Sequence, residues 1–453
     1  MEVSELESLY KKEEPRIIER WSSLLRFKSI STDKAYNDDC GQCASWLVAE
    51  LQKIGFKAEL ANTSSKPIVF AELNGDSTRP TLLFYGHYDV QPPDPLDKWL
   101  SPPFEPTLRD GRMFARGASD NKGQLTFVIS ALETLIKNNS LKANIKLLIE
   151  GEEESGSRGL EEAIPKIASR IKADLLYVSD SSMAPSGAPT ITMGLRGMAA
   201  LSILLKAYKS DLHSGIFGGA LKNPVTELCR IVASFHDSSG KVVVPGFYDD
   251  LILHSKEEAQ LAQTGCSKDS DLKEQQGTLP TGGETNFSVA ERVGFRPTIE
   301  VNGLHGGYGG EGGKTIIPRE ALLKISARLG TGQDPERIGE LLRKYIAQQA
   351  PSEMELVFEG KGHGGPALRL DPKSECLKPV VAALEKMSSQ SIAYRWEGGS
   401  IPVLSALRDA SGAEPVLVAF GKTEDNWHAP NESLALDRFK QGYLFSAIYL
   451  SSL

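Results

Sequence analysis

The chain has 453 residues, 40% of them hydrophobic and 24% charged, with a formal net charge of −8. That length exceeds what one hydrophobic core usually serves, so two domains of an ordinary soluble globular protein are expected. The acidic balance excludes the basic face of a nucleic-acid binder, and no run nears the roughly 18 apolar residues of a membrane span.

The opening, MEVSELESLYKKEEPRIIERW, is acidic and lacks the basic-then-apolar order of a signal peptide, which points to a cytoplasmic protein. Five cysteines, odd in number and scattered, fit a reducing compartment. Helical spacing of apolar residues predicts helices over 10–27 and 37–55. The second begins at Cys40 and Cys43, a C-x-x-C spacing with no partner pair for zinc and no preceding strand for a redox unit. Two small residues on a buried helix face is the reading.

Short apolar runs then alternate with helical stretches: PIVFAEL, TLLFYG, a helix from Lys122 to about 138, NIKLLIEG, a helix near 157–168, and DLLYVSD. That alternation predicts an α/β domain with a mostly parallel central sheet flanked by helices. From Arg196 the texture changes. A strand, GMAALSILLKAY, precedes a helix at 223–236, a polar stretch to about 283, and the strands RPTIEVNGL and EALLKISARLG. A helix at 335–348 and the strand EMELVFEGK follow, and the α/β pattern returns with a helix near 376–387 and EPVLVAF. Two pairs of strands, each followed by a helix, are expected to form an inserted α+β domain. The boundaries are 1–194 with 367–453 for the main domain and 195–366 for the insert. The Gly-rich HGGYGGEGGKT has Tyr308 where a phosphate-binding loop needs glycine, and strand-like sequence follows it.

Each apolar run of the α/β part ends in a carboxylate or an imidazole. His87 and Asp89 follow TLLFYG, Asp120 stands ahead of a helix, Glu152, Glu153 and Glu154 follow IKLLIEG, Asp180 follows LLYVS, and His428 follows EPVLVAFG. Ligands of open α/β sheets bind at the carboxyl ends of the strands, and only seven histidines occur in the chain. Two imidazoles and three carboxylates suit a pair of divalent cations, with one more carboxylate to move a proton.

These segments, GHYDVQPP, GASDNKGQ, EGEEESGS, VSD and NWHAPNE, resemble the five metal-site motifs of the M20 family of co-catalytic metallopeptidases. DLHSGIFGG, GKTIIPRE, ARLG, GHGG and EGGSIPV are similar to the cytosolic non-specific dipeptidase and carnosinase branch. The resemblance implies a dipeptide hydrolase in which a metal-bridged hydroxide attacks and Glu153 is the general base. His87 and Asp180 would bind one metal, Glu154 and His428 the other, with Asp120 bridging across a cis Asp120–Asn121 peptide. Asp89 would hydrogen-bond His87 and fix its tautomer, and Glu152 would lie outside the site. His213 would stabilise the oxyanion and Arg328 would hold the substrate carboxylate, with Thr315, His363 and Ser400 as further substrate contacts. His213 and Thr315 would come from the partner subunit of a homodimer, through a lid and dimerisation role of the insert. The cofactor is two divalent metal ions per subunit, zinc first, with manganese or cobalt as alternatives. Small peptides are the expected partners, with no nucleic acid and no membrane. The alternatives are an N-acyl-amino-acid deacylase or desuccinylase using the same metals, and a metal-dead scaffold.

Overall fold

The computed structural model describes residues 1–453, apart from the side chains of 361–363. In chain order, α1 (Val3–Leu25) and α2 (Asn37–Lys53) precede β1 (Lys57–Ala61), β2 (Ile68–Leu73) and β3 (Thr81–His87). Then come α3 (Lys122–Lys137), β4 (Asn144–Glu150), α4 (Arg158–Ile167), β5 (Leu175–Val178) and β6 (Thr190–Leu195). The chain crosses to β7 (Gly197–Lys206), α5 (Pro224–Ala233), β8 (Thr298–His305), β9 (Glu320–Leu329), α6 (Pro335–Gln349) and β10 (Glu355–Gly365). It returns through β11 (Leu368–Arg369), α7 (Leu377–Met387), β12 (Ala393–Glu397), α8 (Val403–Ser411), β13 (Glu414–Ala419) and α9 (Leu436–Ser452).

The larger sheet has nine strands, in the order β1-β2-β4-β3-β5-β13-β6-β11, with β12 beside β6. Its centre, β4-β3-β5-β13, is parallel. Antiparallel pairings extend it on both sides, β1-β2-β4 on one and β13-β6-β11 on the other. β3 is buried from Leu82 to His87. A strand covered on both faces reads as a continuous apolar run, which is why TLLFYG announces it. Beneath the sheet α3 is buried from Lys122 to Leu135 and packs against α1 and α9. Cys40 and Cys43 are fully buried on α2, and all five cysteines are free thiols.

The smaller sheet has the order β8-β9-β7-β10, antiparallel throughout. β7 alternates between buried and half-buried residues along its length, as a strand does when only one face meets a core. That face packs with α5 and α6 in a second core of Leu201, Ile203, Leu228, Ile325, Ile338 and Leu342, separate from the core of the larger sheet. The chain passes between the sheets at Arg196 and at Pro366–Ala367. A side chain at Gly197 would place its Cβ 2.7 Å from both Gly365 O and Ala367 N, so the crossing requires glycine there.

Three differences from the sequence reading stand out. The insert runs strand, helix, two strands, helix, strand, the order in which the sequence places these elements, so the expected grouping into two strand pairs each closed by a helix does not hold. Its polar stretch contains the helices Lys256–Gln263 and Asp269–Gln276, and Val289–Gly294 follows. The sequence reading also left α9 out, although its buried residues lie along much of its length.

Candidate active site

Because β4, β3, β5 and β13 run parallel, their carboxyl ends open at one edge of the sheet. His87 is the last residue of β3, Asp180 stands two beyond β5, and Glu153 and Glu154 form a short 3-10 turn after β4. Asp120 stands two residues before the helix α3, ahead of its N-cap Asn121, and the Asp120–Asn121 peptide is cis, as the resemblance implies. Ligand atoms of His87, Asp120 and Asp180 lie within 4.8 Å of one another, and so do those of Asp120, Glu154 and His428. Asp120 belongs to both groups and turns a different oxygen to each. Its Oδ1 is 3.1 Å from His87 Nε2, and its Oδ2 is 3.0 Å from His428 Nε2.

The electrostatics of this cluster leave it in want of cations. Burial opposes a charged imidazole at His87, yet Asp120, Asp180 and Asp89 outweigh it and hold the pKa well above its ordinary value. Hydrogen bonds to Asp120 and then to Glu154 push His428 up to about 10. Burial, and then repulsion from Asp120, push Glu154 up to about 7. Burial likewise raises Glu153 far above the carboxylate range; the pull of His87 is outweighed by Asp180, Glu154 and Asp120. His87 Nε2 is buried and makes no hydrogen bond, although it faces Asp120 and lies 3.6 Å from Asp180 Oδ2. A buried imidazole nitrogen left without a hydrogen bond, among converging carboxylate oxygens and a second imidazole, fits divalent cations.

The matching family model is peptidase family M20/M25/M40, over residues 83–451. The chain belongs to that family. It is 29% identical to the Cys-Gly metallodipeptidase dug1 of Schizosaccharomyces pombe, over 100% of this chain and 98% of the relative. It is 30% identical to the Beta-Ala-His dipeptidase of Homo sapiens, over 85% of this chain and 77% of the relative. Among solved structures, the M20 family metallo-carboxypeptidase Sso-CP2 from Sulfolobus solfataricus matches with a TM-score of 0.87 and 32% identity, covering 96% of this chain and 98% of that one.

Around the M20 ligand cluster a layer of polar groups holds the loops in place. Asp89 does more than the sequence suggests. His87 Nδ1 lies 3.3 Å from the Asp89 carboxylate but 3.1 Å from the Asp89 backbone carbonyl, which is its hydrogen-bond partner. The carboxylate itself accepts the backbone N–H groups of Glu153, at 3.2 Å, and Glu154, at 3.1 Å. One residue therefore orients both the imidazole and the glutamate turn. Glu152 points elsewhere: its Oε2 accepts the Gly159 N–H at 2.8 Å, at the start of α4.

Sequence reasoning missed Gln91, Glu432 and Asp425. Glu432 is fully buried beside Arg116 and accepts N–H groups from Gly117, Ser119 and Asp120, tying the loop of His428 to that of Asp120. Asp425 accepts from Arg112, Arg438 and Ser119 Oγ. The only available signal was that Gln91 and Glu432 fall inside the quoted motifs. His428 adopts φ 58°, a left-handed conformation that its surroundings must enforce. Trp427 helps to do so: its Nε1 donates to Ser119 Oγ at 2.8 Å, and its ring leaves no room for a Cβ on Gly421.

Two of the expected substrate contacts lie together. Arg328 Nη1 donates to Ser400 Oγ at 2.9 Å, and Ser400 Oγ donates to Arg196 O at 2.6 Å, at the crossing between the sheets. His213 and Thr315 are also neighbours. His213 pairs with Ile316 in a two-stranded ribbon, and Ser214 N donates to Thr315 O at 3.0 Å. Both are exposed, and no hydrogen bond or ion pair joins either side chain to the ligand cluster among the described residues. The side chain of His363 lies outside the described residues.

Proposed function

We propose that this chain is a two-metal dipeptidase. The observation that carries the reading is that two three-ligand groups share Asp120, with Glu153 next in sequence to the ligand Glu154 and its charge felt by members of both groups. His87, Asp120 and Asp180 would hold one cation, and Asp120, Glu154 and His428 the other. When bound, such a pair polarises the scissile carbonyl and makes water acidic enough to attack near neutral pH. Glu153 takes the proton from that water on a carboxylate oxygen and passes it to the leaving amine. The carboxylate must be ionised for the first transfer and protonated for the second. Arg328, its Nη1 fixed by Ser400, offers a guanidinium fork to the substrate's terminal carboxylate. His363 is assigned to the same substrate.

His213 and Thr315 would complete the site from a second copy, His213 by stabilising the oxyanion, with residues 195–366 as lid and dimerisation domain. Relatives described as Cys-Gly and Beta-Ala-His dipeptidases support the substrate class. Zinc is the metal assigned, with manganese and cobalt compatible with the same imidazole and carboxylate ligands. Five free cysteines suit a cytoplasmic setting.

The deacylase reading uses the same metals on an N-acyl group, and the similar Sulfolobus solfataricus carboxypeptidase adds longer peptides as competing substrates. The test is metal content by elemental analysis, with hydrolysis of a panel of dipeptides, tripeptides and N-acyl amino acids before and after chelation. About two metals per chain and dipeptide cleavage lost with the metal are expected. Cleavage of N-acyl amino acids alone would establish the deacylase, and a metal-free, inactive chain would refute both.

A further inference from the structure

The two ligand groups are not equally anchored. His87 closes a buried strand and its side chain is 0% exposed, while that of Asp180 is 12% exposed. In the other group the His428 side chain is 54% exposed, and Glu154 sits in a single turn of 3-10 helix. The Glu154 side chain is 4% exposed and Asp89 holds its backbone N–H, but neither sets the direction of its carboxylate.

Gln91 supplies that. Its Nε2 donates to Glu154 Oε2 at 2.8 Å and to Glu154 O at 3.2 Å, so one amide grips both the backbone and the carboxylate of the same residue. Glu154 Oε2 also faces His428 Nε2 at 3.2 Å, which leaves the aim of the whole carboxylate set by Gln91 and His428 together. The chemistry of the amide matters. An arginine or lysine here would neutralise the carboxylate and compete with a cation, and a carboxylate would repel it. An amide orients through hydrogen bonds and leaves the full negative charge for the metal. The hydrogen bonds of the Gln91 side chain among the described residues both go to Glu154, and none reaches His87 or Asp180.

We propose that Gln91 is a positioning residue that sets the metal affinity of the Asp120–Glu154–His428 subsite and leaves that of His87–Asp120–Asp180 unchanged. This rests on the two-metal reading above. Gln91→Met keeps the length of the side chain and removes its donors. Gln91→Glu keeps the shape and places a second carboxylate against Glu154.

The experiment strips wild type, both variants and His428→Ala of metal and titrates each with zinc against a chromophoric competing chelator. Thermal unfolding of the metal-free proteins runs in parallel. Wild type should give two dissociation constants. In Gln91→Met the weaker should rise by about 10- to 100-fold, the usual cost of losing a ligand's hydrogen-bond partner, with a larger rise in Gln91→Glu. The tighter constant should stay put and should equal the one that survives in His428→Ala. Dialysis at a free zinc concentration between the two constants should leave about one zinc per chain in Gln91→Met, and added zinc should restore its turnover.

Unchanged constants, or an equal loss at both subsites, would overturn the proposal; the second result would mean that Gln91 merely braces the loop. Should Gln91→Met not fold without metal, Gln91→Asn, whose amide is one methylene too short, carries the same expectation. A wild-type chain that binds fewer than two zinc ions would instead refute the two-metal reading itself.

Discussion

Glu152, Glu153 and Glu154 stand side by side in the sequence and do three different things. Glu152 caps α4 through Gly159 N–H. Glu154 faces His428 and Asp120. The Glu153 carboxylate receives no hydrogen bond among the described residues, while its charge meets His87, Asp180, Glu154 and Asp120. The proposed base should therefore be separable from its neighbours by mutation. Glu153→Gln is expected to retain metal and to lose two to four powers of ten or so in kcat, the usual worth of a general base. Glu152→Gln is expected to leave kcat near wild type and to lower the unfolding temperature, since the helix start loses a charged acceptor. Steady-state kinetics with metal analysis on both variants decides it. Were Glu152→Gln to carry the catalytic loss, the assignment of the base would shift by one residue.

At the scale of elements, α1 and α3 are stapled by charge as well as by apolar packing. Glu133 on α3 meets Arg16 and Arg20 of α1, each at 2.8 Å, and Lys137 at 2.8 Å on its own helix. Burial opposes the charge of Glu133, but Lys137, Arg16 and Arg20 prevail and bring its pKa down from 4.5 to about 2. A carboxylate depressed by folding contributes stability that is complete above its unfolded pKa and lost as pH falls through its folded one. The window is thus from 4.5 down to about 2. Glu133→Gln should cost about 2 kcal/mol at pH 7, after allowing for solvent around Arg16 and Lys137. Urea midpoints should show the gap between variant and wild type closing towards pH 2. A gap that did not change with pH would assign the loss to packing.

The elements that were legible in the sequence have a common physical reason. β3, β4 and β5 are largely buried and so appear as apolar runs, interrupted in β4 only by the half-buried Lys146, and the chemistry stands at their ends. The helices within 256–294 are short and mostly polar, which hid their periodicity, yet the Ser255–Glu258 and Ser288–Glu291 capping boxes were readable signals. Glu432 and Asp425 were not legible, because a buried carboxylate that gathers backbone N–H groups looks in sequence like any solvated loop acid.

For the molecule as a whole, the question is where the second half of the machinery comes from. The larger sheet gathers the metal-ligand candidates from one chain, while His213 lies exposed on the two-stranded ribbon and Thr315 exposed just before the ribbon's second strand. If His213 serves the neighbouring subunit, a lone chain carries a complete ligand set and an incomplete catalytic one. His213→Ala and Glu153→Gln should then each be nearly inactive alone and complement one another when mixed. In a mixed dimer one site keeps its own Glu153 and the other chain's His213, and the second site lacks both. Random exchange of a two-fold dimer makes about half the population mixed, each with one working site, so roughly a quarter of wild-type activity should return. The measurement is turnover before and after subunit exchange, with exchange verified by mass. Full exchange without recovery would mean that His213 acts within its own chain or not at all. The two-metal site would stand in either case, because its ligand candidates all lie on one chain.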